Sequence, residues 1–373
     1  MLSTKKLHIV SFDNPYPPNY GGVIDVFYKL KSIHSAGVKI ILHAFEYGRK
    51  PTKELNKYCD KVYYYQRRNF VNPFIGSLPY IVNTRNSNEL LENLMLDNAP
   101  ILFEGLHTCF FLNHPALAKR KKIVRMHNIE HEYYENLEAI ERNFFKKYFF
   151  SKESIRLKVF EHILHHAQLI LAISPNDKDT LSKQFSNVHY IPAFHCNEEI
   201  TSLPGKGKYI LYHGRLSVGE NDEAARYLIE QVFSNLKLPF YIAGDKPSPL
   251  LKAAAERYPH IKLFDHLSTD QISELISQAH INVLPTFQNT GIKLKLINVL
   301  YQGRFVIAND MMVKNTGLEN LCTVANTAIS IIEQIEKLME EEFSMNFLQE
   351  RKMQLTKKFN NHSNVTLLLT LLD

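Results

Sequence analysis

Short apolar runs, bounded by polar and turn-forming residues, alternate along the chain with longer stretches of helical period. Strands alternating with helices build parallel sheets from β-α-β units. In the first half the pattern predicts strands at Leu7–Phe12, Lys39–Phe45, Lys61–Tyr65, Ala99–Phe103, Lys122–Met126 and Leu169–Ile173. In the second half it predicts them at Tyr209–His213, Pro239–Ala243, Ile261–Phe264, Ile281–Pro285 and Phe305–Ala308. Between the two series lies an irregular stretch, roughly Ala193 to Lys208, with Pro204, Gly205 and Gly207. It marks a domain boundary. The expected class is α/β, with two Rossmann-like domains, residues 1–195 and 196–373, whose parallel sheets face each other across a cleft.

Helix starts fit this reading. Ser174-Pro175-Asn176-Asp177 offers a cap, a first-turn proline and an acid at the third position. Ser268-Thr269-Asp270-Gln271 matches a capping box. Ligands of doubly wound sheets bind beyond the carboxyl ends of the strands. The residues just after each strand are therefore the candidates for chemistry.

Composition changes this picture little. The chain of 373 residues is 45% hydrophobic and 22% charged, ordinary for globular domains. Lys and Arg exceed Asp and Glu by 44 to 38, a net charge of +6. That excess suits a phosphate-bearing ligand or an anionic membrane surface, while a nucleic-acid partner calls for a more basic chain. The four cysteines, Cys59, Cys109, Cys196 and Cys322, form no C-x-x-C pair, which argues against a zinc ribbon or redox motif. Neither a signal peptide nor a membrane span is read, and a cytoplasmic location is expected.

After the first strand, Asp13 to Gly22 leads into a helix expected from about Val23. Gly21 and Gly22 at its start would let a phosphate approach the backbone N–H groups, although an ordinary glycine turn reads as well. The segment is not G-x-G-x-x-G, which disfavours a dehydrogenase. After the strand ending at Pro285 comes Thr286-Phe287-Gln288-Asn289-Thr290-Gly291-Ile292-Lys293-Leu294-Lys295. Thr290 could cap a helix running to about Gln302, with Gly291, Lys293 and Lys295 in its first turn. Lysines there oppose the helix dipole unless an anion sits beside them, and a diphosphate would resolve the conflict. The bland alternative is two solvated lysines. His213-Gly214-Arg215 closes another strand, and an arginine there can grip a phosphate through its planar fork or make a surface ion pair.

His127 follows the strand Lys122–Met126 within His127-Asn128-Ile129-Glu130-His131. So many polar groups at a strand end suggest sugar or acceptor contacts. The same letters spell H-x-x-E-H, a zinc-peptidase pattern. His127 is expected before any helix, however, which disfavours the shared helical turn with His131 that this pattern needs. A structural histidine bonded to backbone is the other alternative. Asp177-Lys178-Asp179 complements a helix dipole. His162, His165 and His166 are expected in a long amphipathic helix, packed or in solvent. Arg142 to Phe150 mixes aromatics with cations, as interfacial segments do; a core helix with a basic edge reads equally well.

The second half resembles the retaining glycosyltransferases of the GT-B fold, the large glycogen-synthase-like and sucrose-synthase-like group. Four segments carry the resemblance in the family's order: Tyr209–Arg215, Tyr241–Asp245, Gln278–Thr286 and Thr290–Ala308. The family's two glutamates in the last segment fall on Thr290 and Asn298, and Arg304-Phe305 stands where it carries a proline. Gly291–Lys295 matches the Gly-Ile-Lys-x-Lys form of this loop found in some relatives.

The resemblance implies transfer of a hexose from a nucleotide diphosphate sugar to a glycan or lipid-linked acceptor, with retention and no divalent metal or other cofactor. It implies that Arg215 and Lys293, supported by Lys295 and Gly214, hold the diphosphate. Thr290 and Asn298 occupy donor-sugar and ribose positions, and His127 orients sugar or acceptor. Arg215 and Lys293 are expected to face each other across the diphosphate. The final helical segment, after about Phe347, is expected to return to the first domain. Two other readings share these residues: a sugar-nucleotide epimerase on the same fold, and a noncatalytic nucleotide-sugar-binding subunit, motivated by the two missing glutamates.

Overall fold

The computed structural model of the chain describes residues 6–68, 70–141, 143–287, 293–314 and 316–372. It forms two compact units. One comprises Met1–His195 and Phe359–Asp373, the other Cys196–Asn289 and Lys293–Lys358.

The first unit is built on β1 (Lys6–Ser11), β2 (Lys39–Glu46), β3 (Lys61–Gln66), β4 (Ile101–Glu104), β5 (Lys122–Met126), β6 (Leu169–Ala172) and β7 (Val188–Tyr190). These form one parallel sheet in the order β3-β2-β1-β4-β5-β6-β7. The second unit is built on β8 (Ile210–His213), β9 (Phe240–Ala243), β10 (Ile261–Phe264), β11 (Ile281–Leu284), β12 (Phe305–Ala308) and β13 (Thr323–Val324). Its parallel sheet has the order β10-β9-β8-β11-β12-β13. Both sheets therefore wind outward from their first strand and reverse there, between β1 and β4 and between β8 and β11. Ligands of such sheets bind outside the carboxyl ends at this reversal.

The central strands β1, β4, β5, β8, β11 and β12 are buried on both faces, as parallel sheets under helices require, while the outer β3, β10 and β13 are part-exposed. In the first unit adjacent residues serve opposite cores. Val10 packs with Phe45, Phe103 and Leu157. Ile9 packs with Val26, Leu30 and Ile33 of the helix Gly21–Ser35, and with Val365 and Leu368 of the helix Asn361–Leu372.

Each predicted strand is present, Lys122–Met126, Ile261–Phe264 and Phe305–Ala308 with both ends as expected and the others with an end moved by one or two residues. Three of the shifts fall at proline. The expected starts at Ala99 and Pro239 move to Ile101 and Phe240, and the expected end at Pro285 moves to Leu284. Proline has no N–H to give to a ladder. The pattern missed β7 and β13, edge strands of three and two residues. Ser174 caps its helix by accepting from the Asp177 N–H, and Ser268 and Gln271 form the reciprocal capping box. The helix expected from Val23 begins two positions earlier, at Gly21. His162, His165 and His166 do not lie in a long α-helix. The α-helix Phe144–Phe160 ends before them, and they occupy the 3₁₀ turn Glu161–His166. Among the described residues no helix is long and apolar enough to cross a membrane.

Candidate functional site

At the carboxyl edge of the first sheet the side chains form a buried charged network. Asp25 and Lys29 lie one turn apart on the inward face of the helix Gly21–Ser35. The Lys29 ammonium donates to Asp25 (2.9 Å) and to both Glu104 oxygens (2.7 and 2.9 Å) at the end of β4. Arg125 on β5 grips Asp25 with two bonds, 3.0 and 3.2 Å, and donates to the Ile191 and Pro192 carbonyls. Two acids thus meet two bases, and all four residues are buried. Burial pushes the Asp25 carboxyl up, but Arg125 and Lys29 outweigh it and hold Asp25 well below the usual carboxylate range. Removing one partner of such a network costs about 3–5 kcal/mol, because a charge is left buried alone.

His127 sits above this network. Its Nε2 lies 2.9 Å from Glu104 Oε2, and its Nδ1 is buried 3.9 Å from Asp25. Both ring nitrogens therefore face the carboxylates. His131 pairs instead with Glu161 at 3.0 Å, so the two histidines of the H-x-x-E-H letters have separate partners. Asp25, Glu104 and His127 are close enough to share a metal ion. Lys29 already bridges the two carboxylates, and the charges balance without one. Phe12 packs on the rings of His107 and His127, and among the described residues His107 Nδ1, His127 Nδ1 and Glu130 Oε1 are buried without a hydrogen bond, the first and last 3.7 Å apart. Burial pushes the Glu130 carboxyl up to about 8.

The two glycines that open the helix Gly21–Ser35 have different roles. A Cβ on Gly22 would lie 2.6 Å from the tip of the Phe12 ring, whereas Gly21 faces open space. The close approach at Gly22 is thus made by Phe12. Gly21 is the first residue of the helix, and no side chain caps that end. The loop before it is braced by Arg49, which donates to the Asn14 and Pro17 carbonyls, and by the Tyr20 hydroxyl, which donates to Asp13 (2.7 Å).

In the second unit the strand ends at the reversal gather a second polar group. Gly214 and Arg215 follow β8, Thr286 follows β11, and the helix Leu294–Gln302 starts beside them. That start is a correction. Lys293 occupies the cap position and only Lys295 lies in the first turn, because the regular helix opens at Leu294. Thr290 and Gly291 lie outside the described residues.

Lys293 and Lys295 are both largely buried. Lys295 donates to Asn221 Oδ1 at 3.0 Å and lies 5.3 Å over the Tyr212 ring. Lys293 lies 3.9 Å from Glu220, which also accepts from the Thr286 hydroxyl. The conflict between lysines and helix dipole is thus eased by the protein's own carboxylate, in the first turn of the helix Gly219–Tyr227. Burial, with Lys293 nearby, pushes the Lys295 ammonium down to about 8 against the pull of Glu220. Asn221 returns a bond from its amide nitrogen to the Arg215 carbonyl (3.1 Å), tying the strand-end turn to the lysine. The Arg215 side chain is exposed and donates to Ser217 at 3.2 Å. Asn298 accepts from Asn197 at 2.8 Å through its amide oxygen.

Gly244, after β9, makes this turn possible. A Cβ there would come within 2.0 Å of the Gly214 carbonyl oxygen. Sequence reasoning found Gly214, Arg215 and both lysines but missed Glu220 and Asn221. It likewise found His127 but missed Asp25, Lys29 and Glu104. The missed signals were modest: acids opening a helix just after Gly-Arg, and an i,i+4 Asp/Lys pair on an otherwise apolar stripe.

The fold, with its two parallel sheets, matches that of GT-B glycosyltransferases of known structure. Among solved structures it is similar to sucrose-phosphate synthase of Thermosynechococcus elongatus, with a TM-score of 0.72, 13% identity and 98% of each chain covered. It is also similar to Anabaena HepE in complex with UDP and glucose, at a TM-score of 0.67 and 12% identity over 98% of this chain and 99% of that one. A third likeness is to a TarM variant of S. aureus in complex with fondaparinux, alpha-GlcNAc-glycerol and UDP, at 0.66 and 12% over 99% and 100%. In sequence the chain is 26% identical over 331 residues, 84% of each, to an uncharacterized 44.6 kDa protein in the cps region of Klebsiella pneumoniae. No family model matches.

Proposed function

We propose that the chain is a glycosyltransferase that moves a hexose from a nucleotide diphosphate sugar to a glycan or lipid-linked acceptor, with retention of configuration and without a divalent metal. The observation that carries this reading is the placement of Lys293, Lys295 and Arg215 at the reversal of the second sheet. The fold supports it: HepE and TarM were solved with UDP.

In the reaction the bond between the anomeric carbon and the diphosphate oxygen breaks, and its electron pair stays on the diphosphate. The two ammonium groups and the guanidinium meet that growing charge, which is the work otherwise given to a metal ion. The acceptor oxygen bonds to the anomeric carbon. With retention it arrives on the face the diphosphate leaves, so the departing phosphate is the nearest base for its proton. His127, held by Glu104, is assigned to orienting the sugar or acceptor. A lipid-linked acceptor would also bring the protein into peripheral contact with a membrane.

The test is a binding and turnover screen with UDP, GDP, ADP and CMP sugars, in buffer with chelator. One class is expected to bind and turn over despite chelation. Arg215→Ala, Lys293→Ala and Lys295→Ala are expected to lower turnover on the order of a hundredfold where the cation meets the diphosphate. Arg215→Lys should recover part, because the fork is lost. Near-normal turnover in all three alanine variants would move the diphosphate site elsewhere. Binding without turnover across a broad acceptor set would favour a noncatalytic subunit.

A further inference from the structure

The helix Phe144–Phe160 is built the wrong way round for an ordinary surface helix. Its buried positions include Glu153 and Ser154 beside Leu157. The Glu153 carboxylate accepts from the backbone N–H groups of Tyr80 and Ile81, both at 2.9 Å. Its outward face carries Phe144, Tyr148, Lys152, Ile155 and Val159, at spacings of one helical turn. All five are exposed, Phe144 at 76% and Val159 at 68%, and neighbouring Phe145 is at 75%. The stripe runs about 22 Å along the helix. A second element widens it. Phe74 stacks on Tyr148 at 5.8 Å, Arg156 holds the Pro73 carbonyl at 2.6 Å, and Phe70 and Ile75 are exposed beside them in sequence.

Charge selects the occupant. Lys146, Lys147, Lys152 and Lys158 are exposed on this helix, and its one acid, Glu153, is fully buried. The preceding helix, Glu130–Ile140, carries exposed Glu135 and half-buried Glu132 and Glu138, and half-buried Glu141 follows it. A second copy meeting this face through a two-fold axis would set Lys152 against Lys152, with further lysines at both ends, and the stripe is too short for a stable coiled-coil seam. Apolar side chains with lysines around them match the boundary between acyl chains and anionic headgroups.

We propose that the outward face of the helix Phe144–Phe160, with the Phe70–Ile75 segment, is a docking surface for anionic lipid bilayers. Phe144, Phe145, Tyr148 and Phe74 enter the interface, and the lysines meet the headgroups. The inference rests on the reading that the acceptor is lipid-linked, but it is testable without acceptor or donor.

The experiment is flotation of the whole protein with vesicles of phosphatidylcholine alone and of phosphatidylcholine with phosphatidylglycerol, at low and high salt. Binding is expected to the anionic vesicles and to weaken with salt. The triple variant Lys146→Gln/Lys147→Gln/Lys152→Gln should lose roughly fivefold in partitioning for each lysine. Phe144→Ser/Phe145→Ser should lose at least about tenfold, since apolar insertion supplies the rest. All of these side chains are exposed, so folding is expected to be kept and is checked by circular dichroism. Equal binding to neutral and anionic vesicles, or no change in either variant, overturns the proposal. Self-association that the Phe variant abolishes, without vesicle binding, overturns it in favour of a second copy. Nucleotide-sugar binding by the same variants is measured separately. Vesicle binding by a protein that binds no nucleotide sugar would leave the dock standing and remove the glycosyltransferase reading.

Discussion

Lys295 is under two opposed constraints. Burial favours losing its proton, and the anion it is proposed to hold requires keeping it. With its ammonium pushed down to about 8, the group is charged at neutral pH and titrates just above it. The sign follows directly. The folded value lies below that of a free lysine, so between about 8 and the ordinary value near 10.4 the unfolded chain binds more protons, and stability from this group rises with pH across that window. Ligand affinity moves the other way. Nucleoside diphosphate binding should be level below about pH 7.5 and fall above about 8, with proton uptake on binding in that upper range. Calorimetry in buffers of different ionisation heat reads that uptake, and Lys295→Met should remove it. An affinity flat to pH 10 would show that Lys295 does not meet the phosphate. At this scale the sequence was legible where charge opposed a local rule, as at Lys293 and Lys295. It was illegible where the answer lay across the fold. Nothing local announces that Glu220 sits beside Lys293, or that Lys29 finds Glu104 seventy-five positions away.

Elements were easier to read than contacts, because period and turn chemistry are local. The strand pattern survived because the central strands are buried on both faces, and runs such as Phe305–Ala308 have no polar side to disguise them. The helix after Thr286 was misplaced because its start is set by packing of Leu294, Leu296 and Ile297 into the core rather than by a capping side chain. The Gly214 turn makes the dependence of elements on one another measurable. Gly244→Ala would force the Gly214 carbonyl away from β9, since backbone cannot yield as a side-chain tip can. A cost of about 1–3 kcal/mol is expected for the second unit, as for overpacking generally. Nucleotide binding should fall further than stability, because Asn221 and Lys295 are tied to the same turn. Urea melts followed by circular dichroism, beside titration of the folded variant, separate the two. Binding that stays normal would show that the turn does not shape the site.

On the scale of the whole molecule, the doubled β-α-β series was legible from the alternation of apolar runs, and the strand orders confirm one plan used twice. What the pattern could not give is how the first unit closes. Its last helix, Asn361–Leu372, comes from the far end of the sequence and packs on the helix Gly21–Ser35. Asn361 donates to the His195 carbonyl (2.7 Å) and accepts from its N–H (3.2 Å), and His195 Nε2 lies 2.7 Å from the Phe359 carbonyl. A chain ending at Lys358 loses Val365 and Leu368 from that core. Its first unit should be less stable by at least about 3 kcal/mol, from two buried aliphatic side chains at 1.5–3 kcal/mol each, while the second unit melts unchanged. The chain has no tryptophan, so far-UV circular dichroism in urea is the probe, with bound nucleotide raising only the second unit's transition. The clasp at His195 also has a consequence in time. During synthesis the second unit is translated in full before residues 361–372 exist, an interval on the order of ten seconds. Throughout it the first helix waits with an apolar face open to water, and the sheet made first is the one completed last.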